Sequence, residues 1–130
     1  MYKGLAVALT LTSALAVTAC SQDVSYSKDV KPILTQNCLQ CHDGQGQGST
    51  ESGLVLVEYD DLMQGTKLGQ VVVPGNSVSS TLYRLVAHEA DPKLHMPPHH
   101  KEAGDMKLTP LSDAQIETIK LWIDQGAKNN

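Results

Sequence analysis

The residues most able to do chemistry in this chain stand together at positions 37–44, NCLQCHDG, where two cysteines three apart are followed at once by a histidine. The chain has only 3 cysteines, so this spacing commits Cys38 and Cys41 to a shared task. Three chemistries use such a cluster: a dithiol–disulfide couple, a zinc or copper site, and thioether attachment of a porphyrin with the histidine on its iron. A redox dithiol of the thioredoxin kind needs a βαβ setting, and the sequence offers no such alternation. A metal site has a second ligand pair available in His95 and His99 (HMPPH), but that pair is far from Cys41 in sequence, whereas structural zinc ligands usually pair across about a dozen residues. Covalent haem uses all three residues. Cys38 and Cys41 sit about one helical turn apart, so both sulfurs can reach the two vinyl groups on one porphyrin edge, and His42 follows as proximal ligand.

A second axial ligand has to come from elsewhere in the chain. Met96 lies in HMPPHH, where Pro97 and Pro98 stiffen the backbone and so lower the entropic cost of holding a thioether over a haem face. His95, His99, His100 and Met106 are the competing donors.

These residues must be positioned by a small domain. The N-terminus, MYKGLAVALTLTSALAVTAC, has a basic start and an apolar stretch over residues 5–19 that is shorter than the about 20 residues of a membrane span. It reads as a signal peptide (1–19), and its end, VTAC, resembles a bacterial lipobox with Cys20 as the acylated first residue. Ser21 after that cysteine resembles an outer-membrane address. Removing Lys3 with the leader takes the 10 basic and 14 acidic side chains to 9 and 14, a balance of −5 that argues against nucleic acid and against electrostatic attraction to anionic lipid. Export also places Cys38 and Cys41 where free thiols oxidise unless they are used.

After a tether at 20–25, apolar residues at Tyr26, Val30, Ile33 and Leu34 give a helical stripe leading into Cys38, and Pro32 suggests a start near Asp29. DGQGQGSTESG reads as a surface loop. Tyr59, Leu62 and Met63 form a short helix stopped by Gly65. Residues 71–73 are the one candidate strand, followed by a Pro-Gly turn. Leu82, Leu85 and Val86 mark another helix, capped by Ser77 or Ser79. Residues 89–110 hold four prolines without periodicity and form a long loop. The last helix is the best marked: Ser112 and Gln115 form a capping box, Leu111 staples onto Ile116, Ile116, Ile119, Trp122 and Ile123 share a face, and Gly126 ends it. The whole is an all-α domain over 26–127, with helices at both ends, short middle helices and long loops. With no phenylalanine, its core is thin enough to need a large cofactor.

The stretches YSKDVKPILTQNCLQCHDG, SGLVLVEYDDLMQG, VVVPGNSVSSTLYRLV, MPPH and LTPLSDAQIETIKLWIDQGA, in that order, resemble the planctomycete-type cytochrome c domain, a branch of the class I-like monohaem cytochromes c. The resemblance implies one haem c on Cys38 and Cys41, axial ligation by His42 and Met96, and a Pro74 carbonyl orienting the His42 ring. It also implies a one-electron carrier in the periplasm or cell envelope, without enzymatic activity, serving redox protein partners. Trp122 is expected in the core at the haem edge, Tyr59 and Tyr83 as packing or propionate partners, and Arg84 as a propionate partner or a solvated charge. Two other classes stay open: a haem enzyme or sensor with a vacant iron position, peroxidase-like or gas-binding, and a zinc- or copper-binding module.

Overall fold

A computed structural model describes residues 22–98 and 108–130. The signal peptide, Cys20 and Ser21, together with His99, His100 and Met106, lie outside the described residues. Within them the domain is all-α. A π-helical turn, Tyr26–Val30, runs into α1 (Lys31–Asn37), followed by α2 (Leu39–His42), α3 (Gln47–Ser52), α4 (Tyr59–Gln64), α5 (Thr81–Val86), a 3₁₀ turn at Pro92–Leu94 and α6 (Asp113–Asp124). No strand forms among the described residues. Val71 and Val72 are buried in an irregular segment whose Val71 carbonyl accepts from Leu82 N–H, and the isolated bridge found among the described residues joins Thr66 to Gly69.

Helical winding begins earlier than Pro32 suggested, because the Ser25 side chain caps the π turn by accepting from the Lys28 N–H. Pro32 then falls at the start of α1, where its missing N–H costs nothing. The wider turn keeps Tyr26, Val30 and Leu34 on one buried stripe, which packs against Ile119, Trp122 and Ile123 of α6 and against Leu62 of α4. Three rings knit this core: Tyr26 lies 5.2 Å from Tyr59 edge-on and 5.5 Å from Trp122, and Tyr59 meets Trp122 edge-on at 6.4 Å. Burial, with help from the nearby charges of Glu58 and Asp61, pushes the Tyr26 phenol up to about 12.

The glycine-rich stretch expected as a loop is instead α3. Asp43 Oδ1 accepts from the N–H groups of Gln45 and Gly46 and so turns the chain into the helix. Gly53, at φ 81°, ends it, and Lys67 Nζ donates to the otherwise open carbonyls of Thr50 and Glu51. The N-cap of α5 is Ser80 rather than Ser77 or Ser79, and its hydroxyl is spent on the preceding turn, accepting from Val73 N–H and donating to the Asn76 carbonyl. At α6 the capping box of Ser112 and Gln115 forms as the sequence indicates.

Candidate haem-binding site

The peptide 38–42 is placed by the break between α1 and α2. Cys38 closes α1 through its N–H to the Leu34 carbonyl, and its own carbonyl then accepts from both Cys41 and His42 N–H at 3.0 Å. That single tight turn brings Cys38, Cys41 and His42 onto one wall of a cavity of about 320 Å³. Both cysteines are free thiols. Burial, reinforced by Cys41 beside it, pushes the Cys38 thiol up to about 12, so it carries its proton at neutral pH.

His42 is held by the strand-like segment that crosses behind it. Its Nδ1 lies 3.1 Å from the Leu54 carbonyl, and its own carbonyl accepts from Leu56 N–H at 2.9 Å. A carbonyl only accepts, so Nδ1 carries the hydrogen and Nε2 is left with its lone pair for a metal. Buried Ser49 steadies the same carbonyl by donating to it at 2.8 Å. The orienting carbonyl is therefore that of Leu54, not Pro74, which sits on an exposed turn. A backbone acceptor leaves no side-chain signature, so residue type could not have pointed to it.

Space at Nε2 is kept open by Gly48. A Cβ built at that position would stand 2.6 Å from His42 Nε2 and 2.7 Å from Cε1, closer than atoms pack. Gly48 lines the cavity beside the imidazole.

The rest of the cavity is supplied by Leu54, Leu56, Val71, Leu82 and Val86, and by the loop of Met96, Pro97 and Pro98. Met96 is partly buried against the core, and its N–H donates to the Leu85 carbonyl at 3.1 Å, tying the loop to α5. The structure thus brings Met96 to the same cavity as Cys38, Cys41 and His42. His95 turns elsewhere: its Nε2 lies 3.0 Å from the Ala90 carbonyl and its ring stacks on His88 at 4.3 Å. No three His, Cys, Asp or Glu side chains converge as a metal-binding group among the described residues.

The structure moves Trp122 from its expected place and narrows the alternatives left for Tyr59, Tyr83 and Arg84. Trp122 is not at the cavity; it packs on Tyr26 and Tyr59 and donates to the Lys128 carbonyl at 2.9 Å. The Tyr59 hydroxyl donates to Ala127, and that of Tyr83 to Glu89. Arg84 is exposed and donates to the Glu89 carbonyl. Among the described residues the cation that lines the cavity is Lys93, on the 3₁₀ turn before Met96. Its position after a proline in an aperiodic loop gave no hint of this.

These residues fit a haem. The cavity falls in the size range of small-molecule sites, its lining is largely apolar, and Cys38, Cys41, His42 and Met96 all line it. A helical domain that brings a Cys-x-x-Cys-His turn and a Met-Pro-Pro loop to one largely apolar cavity has the elements of a c-type cytochrome. Residues 38–100 match the family described as Planctomycete cytochrome C, and the match supports a cytochrome c domain of that type. Such a domain implies covalently bound haem c. No curated protein and no solved structure matches the chain significantly.

Proposed function

We propose that the protein is a monohaem c-type cytochrome that carries single electrons between redox protein partners and makes or breaks no substrate bond itself. The observation that carries this reading is the shared cavity, with Met96 on its wall together with the Cys38–Cys41–His42 turn. Bound there, the haem supplies a one-electron ferric–ferrous couple. Cys38 and Cys41 would hold the group covalently, since addition of a thiol S–H across a vinyl double bond needs no oxidant and would leave a thioether. His42 offers Nε2 because Leu54 holds Nδ1, and Met96 offers a thioether from a loop braced by two prolines. A His/Met pair favours the ferrous state and a relatively high potential.

The protein is exported and held at a bacterial cell envelope, facing the periplasm or cell surface, by acyl chains on Cys20. The lipobox-like VTAC supports this, and no helix of the described residues is long and apolar enough to cross a membrane.

Met96→Ala tests the reading. Loss of the sulfur-to-iron charge-transfer band, a lower midpoint potential and new binding of cyanide or carbon monoxide are expected, while His95→Ala keeps the band. A native protein that already binds carbon monoxide tightly would instead make it a haem sensor or enzyme with an open iron position.

A further inference from the structure

The segment expected to be a loose tether is stitched to the other end of the domain. Gln125 Nε2 donates to the Gln22 carbonyl at 3.3 Å, while Gln125 Oε1 accepts from Val24 N–H at 2.7 Å. Asn130 does more. Its side chain accepts from Tyr26 N–H at 2.8 Å and donates to the Val24 carbonyl at 3.4 Å, and its carbonyl accepts from the Ser25 hydroxyl at 2.8 Å and Ser27 N–H at 2.9 Å. Six hydrogen bonds thus join 22–27 to Gln125 and Asn130, residues about a hundred positions later.

We infer that this clamp seats the domain directly on a lipid bilayer with a fixed face, formed around Gln22, Asp23, Lys128 and Asn130, instead of letting it swing on a leash. The inference rests on acylation at Cys20. From Cys20 to clamped Gln22 there are two residues, which span at most about 7 Å when fully extended. An anchor that short leaves the clamped end of the domain at the headgroups. The face suits that contact, because Gln22, Asp23, Lys128, Asn129 and Asn130 are all exposed and polar, and the segments 22–27 and 125–130 carry one acid, Asp23, and one base, Lys128. No residue of the clamp lines the haem cavity, so the seated face is not the one that binds haem.

The haem itself reports the orientation. Lipidated holoprotein in aligned bilayers of phosphatidylcholine should absorb polarised light anisotropically in the haem band. Two changes should abolish that dichroism while the protein still sediments with lipid. One is the pair Gln125→Ala and Asn130→Ala, which frees residues 22–27. The other leaves the clamp intact and inserts about ten Gly and Ser residues between Ser21 and Gln22, a coil of roughly 17 Å. The insertion keeps the test meaningful if the double variant folds poorly. Native protein that binds the bilayer but shows isotropic haem overturns the seat while leaving the anchor standing. Dichroism that survives the insertion also overturns it. Native protein that stays in the supernatant, as Cys20→Ser is expected to, overturns the anchor itself.

Discussion

Replacing Gly48 with alanine sets two effects of opposite sign against each other. Gly48 sits within α3, and on helix propensity alone alanine there should stabilise the domain by about 1 kcal/mol. Its Cβ, however, would stand 2.6 Å from His42 Nε2, 2.7 Å from Cε1 and 2.9 Å from the Cys41 carbonyl oxygen. Overpacking of this kind costs about 1–3 kcal/mol. Turning the ring away would give up its bond to the Leu54 carbonyl, worth about 1 kcal/mol more. The packing terms win, so Gly48→Ala should lower the unfolding free energy by roughly 1–3 kcal/mol. It should also weaken the proximal ligand, giving partly high-spin ferric protein and faster cyanide binding. Guanidinium unfolding of the holoprotein and its ferric and ferrous spectra give both readouts. A variant that is about 1 kcal/mol more stable than the native protein, as propensity alone requires, with an unchanged spectrum, would refute the placement of Nε2 against Gly48.

Lys93→Gln should lower the midpoint potential modestly and Lys93→Glu further, with Lys93→Arg restoring it, because a cation at the cavity favours the less positive ferrous centre. The exposed position limits the effect to under about 1 kcal/mol, and potentiometry at low and high salt would register it. Trp122→Ala should cost about 3–5 kcal/mol of stability with the haem spectrum intact at temperatures where the variant stays folded, since the ring packs on Tyr26 and Tyr59 and not at the cavity.

Side chains with their own chemistry were legible in the sequence, and backbone contributions were not. Cys38, Cys41 and His42 stood out by spacing, Met96 by its prolines, and α6 by Ser112 and Gln115 together with a regular apolar face. By contrast, α3 has no apolar periodicity; it is built from Asp43 turning the chain and from hydroxyls of Ser49, Thr50 and Ser52 bonded locally, features that read equally well as a loop. The Leu54 carbonyl and the opening at Gly48 depend on where the chain doubles back after Gly53. Trp122 is a core residue as expected but not at the haem edge, because Tyr26 and Tyr59 pack on it. The clamp was hidden because Gln22, Gln125 and Asn130 look like ordinary surface residues until the two ends meet.

The central claim, that Cys38 and Cys41 carry one haem by thioether bonds, is tested most directly by the intact mass of protein matured in a host competent for c-type haem. After acid-acetone treatment and full denaturation, the mass should equal the mature chain, with any acyl groups, plus one haem, and both cysteines should resist thiol alkylation. Haem released into the solvent, a mass without it, or alkylation of Cys38 and Cys41 would contradict the account.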